Sequence, residues 1–197
     1  DLLLLGGDFI NYAINIDLFM GYLKELRIPS MGAYAVLGNH DYVDYEKVAS
    51  ELETLGIKVM DNKKINVTDK VVVAGVDDLW KGKPVLPKLG EKQFNILLSH
   101  NPDFFNDIPE DNEINCMLSG HYHAGQVNIT GVMLQSLITK YGYGDFYEKN
   151  INFFVSSGVG GSVFIGPLGR HIRYRAQPEL LEVFVVKKKW RKHEKKR

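Results

Sequence analysis

One pattern constrains this chain more than any other: short apolar runs that stop abruptly at Gly, Asn, Asp or His. Leu2-Leu3-Leu4-Leu5 runs into Gly6-Gly7-Asp8, Tyr34-Ala35-Val36-Leu37 into Gly38-Asn39-His40-Asp41, and Val71-Val72-Val73-Ala74 into Gly75-Val76-Asp77-Asp78. The same rhythm carries Asn95-Ile96-Leu97-Leu98 into Ser99-His100-Asn101-Pro102, Cys116-Met117-Leu118 into Ser119-Gly120-His121, and Phe153-Phe154-Val155 into Ser156-Ser157-Gly158. Apolar runs of about four residues bounded by turn formers read as strands buried on both faces.

Helical patterns lie between some of these runs. Residues 14–26 carry Ile14, Leu18, Tyr22 and Leu26 at a spacing of four, with Pro29 beyond; residues 46–55 put Val48, Leu52 and Leu55 on one face before Gly56. Strand–helix alternation in the first half argues an α/β fold. Residues 57–75 shift to strand–turn–strand, and residues 153–156 and 179–186 read as late strands. A layered, mixed-sheet sandwich with helices outside fits this order better than a simple doubly wound sheet. Residues 141–150, rich in Gly, Tyr and charge, read as a mobile loop or lid.

The 197 residues fit one domain, residues 1–186, followed by a basic tail, residues 187–197, expected to be disordered. The zero net charge is a cancellation. The tail holds eight Lys or Arg against Glu194, while the body holds 16 basic and 23 acidic side chains. An acidic body argues against a nucleic-acid groove, and a basic tail points to an anionic membrane surface. The single cysteine, Cys116, excludes a disulfide framework and a four-cysteine zinc site and reads as core. The chain opens on Asp1 and enters an apolar run at once, so it is expected to be a piece of a longer polypeptide whose N-terminus could hold an anchor or signal.

Asp8, Asn39, His40, Asp41, His100, His121 and His123 all follow apolar runs. In α/β sheets that edge is where ligands bind. A lone His after a strand is usually a structural hydrogen-bonder, but a purely structural sheet has no need of four with an Asp and an Asn. Imidazole, carboxylate and amide oxygen together suit Mn, Fe, Zn, Co or Ni. His121 and His123 point the same way if their segment is extended, and can address two neighbouring ions if it is a tight loop.

The order Gly7-Asp8, Gly38-Asn39-His40-Asp41, His100, Gly120-His121-Tyr122-His123-Ala124-Gly125-Gln126 resembles the calcineurin-like metallophosphoesterases over nearly the whole chain. With Leu97-Leu98-Ser99-His100-Asn101-Pro102-Asp103 and Ala176-Gln177-Pro178-Glu179, it resembles their membrane-associated bacterial branch, some members of which are linked to UDP-2,3-diacylglucosamine pyrophosphohydrolase activity. The resemblance implies a four-layer α/β/β/α sandwich, here lacking its first strand, and hydrolysis of a phosphomonoester, phosphodiester or pyrophosphate by a water activated on two divalent ions, manganese foremost. It implies that Asp8 bridges the ions, that Asn39, His100 and His121 complete one site, that His123 serves the other, and that His40 gives a hydrogen bond or proton to the substrate. The implied substrate is a phosphorylated small molecule or a lipid-linked one such as a UDP-sugar lipid precursor. The implied location is bacterial, cytoplasmic or peripheral at the membrane.

Three departures bear on these expectations. The family's Asp-x-His strand ahead of Asp8 is absent, which predicts weak or no activity for this polypeptide alone. Asn11 stands where many members carry an acid that orients the catalytic His, so it can hydrogen-bond His40 but lend no charge. Phosphate-gripping arginines are not obvious among Arg170, Arg173 and Arg175, for which a structural role is the simpler reading. Asp41 and Asp78 join Asn11 as supporting residues, with Asp77 and Asp78 lining the cleft or making a turn. The alternative to an enzyme is a non-catalytic metal-binding or docking module on the same fold.

Overall fold

A computed structural model describes residues 1–125, 139–160, 173 and 175–186, and the backbone of 128–129 and 132–133. The basic tail, Gln126 and Arg170 lie outside the described residues. The strands are β1 (Leu3–Leu5), β2 (Ala33–Ala35), β3 (Ile57–Val59), β4 (Lys63–Asn66), β5 (Val71–Gly75), β6 (Phe94–Leu98), β7 (Cys116–Ser119), β8 (Asn128–Ile129), β9 (Val132–Met133), β10 (Gly144–Glu148) and β11 (Ile151–Val155). The helices are α1 (Ile16–Leu23) and α2 (Tyr45–Thr54), with short 3-10 turns elsewhere.

The fold is mixed α/β. A small sheet is wholly parallel in the order β1-β2-β3. A six-stranded sheet runs β10-β11-β7-β6-β5-β4, parallel through its four central strands and antiparallel at both edges. A separate β8-β9 hairpin completes the pairing.

Three apolar clusters stack these layers. Ile16 and Met20 of α1 and Val48 and Leu52 of α2 pack with Ala33, Ala35, Ile57 and Val59 on one face of the small sheet. Tyr34, Val36 and Met60 meet Val73 and Leu98, joining the small sheet's other face to the large sheet. Leu97, Met117 and Phe153, from the large sheet's far face, pack with Phe104, Phe105 and Ile108. That far face is covered by the 3-10 segment Pro102–Asp107 and loops; the outer α layer expected there does not occur among the described residues.

Three further expectations need correction. The first helix spans eight residues and turns a different face inward: Ile14, Leu18, Tyr22 and Leu26 are exposed, and Ile16 and Met20 are buried. Residues 141–150 are not a lid. Tyr141 is core, and Gly144–Glu148 forms the edge strand β10. Residues 179–186 form no strand, and Leu180, Phe184 and Val186 stand in solvent. Their composition favours a strand, but β-propensity is realised only against a ladder partner, and none pairs with them among the described residues.

Candidate metal centre

Every parallel strand aims its C-terminal end at one edge of the two sheets, and the chemistry-bearing loops leave from there. Asp8 follows β1, Asn39 and His40 follow β2, His100 follows β6, and His121 follows β7. Asp8 and His100 come from different sheets, yet Asp8 Oδ2 lies 3.3 Å from His100 Nε2. His121 Nδ1 lies 3.0 Å from the same nitrogen.

The tautomer of His100 follows from one contact. Its Nδ1 sits 2.7 Å from the carbonyl oxygen of Gly6, which only accepts, so Nδ1 carries the hydrogen and, in the neutral ring, Nε2 presents a lone pair. That lone pair faces the Asp8 carboxylate and lies beside His121 Nδ1, an arrangement that a cation among the three would relieve. Asp8, His100 and His121 offer ligand atoms that all lie within 4.8 Å of one another. Donors ~2.1 Å from one ion and ~90–110° apart are spaced by about 3.0–3.4 Å, so the two measured separations suit a shared ion. Asn39, on the loop after β2, has a buried Oδ1 with no hydrogen-bond partner among the described residues. An orphaned amide oxygen costs about 1–3 kcal/mol, and a cation would satisfy it. These residues fit a divalent transition-metal ion.

Between themselves, Asp8 and His100 each favour the charged form of the other, as an ion pair does. Burial pushes the Asp8 carboxyl up, but the contacts with His100 and His40 together hold Asp8 below its usual range. Burial likewise opposes a charge on His100, and the Asp8 contact raises it instead. His121 is pushed down to about 3 by burial and by His100, so it is a neutral ligand at working pH.

The loops are locked by Asp41. Its carboxylate is fully buried and accepts backbone hydrogens from Asp8 (2.8 Å), Phe9 (2.8 Å), Ile10 (3.2 Å) and Gly38 (2.9 Å). Burial raises its pKa to about 6. The His40 backbone N–H donates to Asp8 Oδ1 at 3.0 Å, so the β2 loop holds the ligand carboxylate in place. Gly7, with φ +88°, packs so closely that a methyl group on it would lie 2.5 Å from the Gly38 nitrogen.

Other expected positions fall differently. His121 and His123 both have positive φ, so their segment is a tight loop and not extended. His123 stays out of the cluster formed by Asp8, His100 and His121; its Nδ1 accepts from the Arg173 guanidinium at 3.2 Å. Arg173 also donates to the carbonyls of Ser157 (2.7 Å) and Gly160, which makes it a clamp across loops. Asn11 makes no hydrogen bond to His40 among the described residues. Asp78 is buried and shapes a turn through Oδ1, which accepts from Trp80 N and Lys81 N. An open cavity of about 300 Å³ lies beyond the His123 turn, lined by Ala124, Tyr143, Arg175 and Glu179 among others; it includes none of the clustered ligands.

Two contributors were not legible in the sequence. Gly6 acts through its carbonyl, which no side-chain pattern reveals. Trp80 meets His121 edge-to-face, with ring centroids 4.3 Å apart. Its only sequence signal is its place two residues after Asp78, at the end of a strand run.

With the geometry in place, comparison with known proteins gives a consistent picture. The profile of the calcineurin-like phosphoesterase family matches residues 1–125, which hold all the clustered ligands. The uncharacterized metallophosphoesterase YkoQ of Bacillus subtilis is 28% identical over 91% of this chain and 70% of its own length. An uncharacterized metallophosphoesterase of Helicobacter pylori is 30% identical over 81% of this chain and 46% of its own length. The phosphodiesterase YaeI of Escherichia coli is 32% identical over 66% of this chain and 51% of its own length. The chain thus spans about half to 70% of these relatives. The profile match covers well over half of the residues, and the chain belongs to the calcineurin-like phosphoesterase family.

Proposed function

We propose that this chain carries the metal centre of a hydrolase that cleaves phosphate esters, with a phosphodiester the best-supported class. Family membership and a relative named phosphodiesterase support the reaction class. The observation that carries the site is the convergence of Asp8, His100 and His121, from two sheets, on one point.

In this reading Asp8, Asn39, His100 and His121 hold one divalent ion, and Asp8 and His123 contribute to a second. Bound ions supply Lewis-acid activation of a water and offset phosphoryl charge. The chain's own groups do the rest. The Gly6 carbonyl fixes the His100 ring. Neutral Asn39 leaves net positive charge for an anionic substrate. His40 stands on a loop pinned to Asp8 and delivers a proton to the leaving oxygen. Manganese is the metal we favour, a lipid-linked pyrophosphate is one substrate in scope, and the basic tail is the element that would meet an anionic membrane. No helix among the described residues is long and apolar enough to cross a membrane.

The test is hydrolysis of bis(4-nitrophenyl) phosphate by the manganese-loaded protein. Chelation should abolish turnover. Asp8→Ala should lose both metal and turnover, and His40→Ala should keep metal while kcat falls about 100-fold or more. Stoichiometric metal with no turnover on phosphate monoesters, diesters or pyrophosphates would favour a binding module.

A further inference from the structure

We propose that Trp80 is a specificity-determining residue, a fixed aromatic platform beside the metal centre that stacks on a flat ring carried by one substituent of the phosphate ester. The proposal rests on the phosphoesterase reading. It is carried by three observations that the ligand set does not use.

The first is position. The indole meets the ring of His121 at an interplanar angle of 88°, and His121 is one of the three clustered ligands. The second is exposure: 57% of Trp80 is open to solvent, an expensive way to display an indole unless something covers it in use. The third is rigidity. Asp78, itself buried, caps the backbone N–H groups of Trp80 (2.9 Å) and Lys81 (2.8 Å), and its carbonyl accepts from Gly82 N at 3.0 Å. Asp77 takes Asp78 N and Lys83 N, both at 2.8 Å, and is held in turn by the Tyr42 hydroxyl. Asn62 ties the loop from outside by accepting from Asp77 N and Val85 N and donating to the Lys83 carbonyl.

A loop bonded so fully presents its indole with little conformational entropy left to lose on binding. Stacking on an aromatic side chain is tolerant of ring identity and worth about 1–3 kcal/mol per base. Nucleobases and aryl groups are therefore the ligand class, and an aliphatic substituent gains much less from the same surface.

Two phosphodiesters with the same leaving group test this: bis(4-nitrophenyl) phosphate, whose second substituent is a ring, and methyl 4-nitrophenyl phosphate, whose second substituent is not. Trp80→Ala should raise KM for the first about 5- to 160-fold with kcat little changed, and move KM for the second by less than twofold. Trp80→Phe should restore most of the difference. Equal losses on both substrates, or no loss on either, would overturn the proposal. A readout free of turnover uses the protein carrying Trp190→Phe, which leaves Trp80 as the sole indole. Adenosine 5′-monophosphate should quench its fluorescence and ribose 5-phosphate should not; identical responses to the two would also overturn it. If the protein hydrolyses neither diester yet shows the selective quench, the phosphoesterase reading fails and the platform stands.

Discussion

Gly38 has no room for a methyl group. A Cβ there would run into the Asp8 carboxylate and lie 2.6 Å from His100 Cε1, the two groups whose approach makes the cation site. Gly38→Ala should therefore weaken metal binding at least tenfold, measured by metal titration, because either Asp8 or His100 must yield. Asp41 is equally specialised. Its four backbone donors need a carboxylate, and an amide would turn an N–H₂ toward N–H groups. Asp41→Asn should cost about 2–4 kcal/mol in denaturant unfolding. Asp61 gives a pH signature. It accepts from Leu37 N and Tyr45 Oη, and burial raises its pKa from 3.8 to about 7. The native state therefore binds more protons here than the unfolded chain between about pH 4 and 7. The stability this group contributes is fully present below pH 4 and is lost as pH rises through 7. Asp61→Asn should flatten that decline in the metal-free protein, read as Tm against pH; an unchanged slope would show that Asp61 ionises normally. The candidacy of Asp8, which the structure places in the cluster, was open to a reader of Gly7-Asp8. The weight carried by Asp41 was not, because its partners are backbone groups distant in sequence.

At the scale of single elements, α1 shows how periodicity can mislead. Ile14, Leu18, Tyr22 and Leu26 form one stripe at a spacing of four, while Ile16, Phe19, Met20 and Leu23 form another at spacings of three and four. A helix apolar on two sides does not announce its inner face. The second stripe packs beneath α2 and the small sheet, and it is the better match to the i, i+3, i+4, i+7 template. Ile14→Ser and Leu18→Ser should each shift stability by about 0.5 kcal/mol or less. Met20→Ala should cost about 2–5 kcal/mol. A reversed ranking in denaturant unfolding would mean that the helix is rotated. Residues 141–150 mislead for a different reason: Gly, Tyr and charge suggest a loop, but alternation along Gly144–Glu148 suits an edge strand with one wet face. Residues 179–186 have the opposite problem, a strand composition without a neighbouring strand to bond.

Across the whole molecule, the metal centre is a joint between two sheets. Asp8 stands on the small sheet, His100 and His121 stand on the large one, and the sheets meet through Tyr34, Val36, Met60, Val73 and Leu98. An ion held by both halves stabilises the native state by mass action, about 2.7 kcal/mol when it is present at 100 times its Kd. Manganese should therefore raise Tm in the native sequence, and chelator should reverse the gain. His100→Ala should abolish most of the response; a variant that still gains the full shift would place the ion elsewhere. The amino-acid sequence alone determined the α/β class, the strand positions through β7 and the kinds of donor that end them, because those depend on local runs of side chains and on turn residues within a few positions. Only the tertiary structure decided which donors converge, since that depends on two sheets packing with their C-terminal edges together. It also decided that His123 answers to Arg173, that Asp41 fastens two loops, and that an indole stands beside the metal ligands. Each of these is a contact across dozens of residues, where separation along the chain carries no information about distance in space.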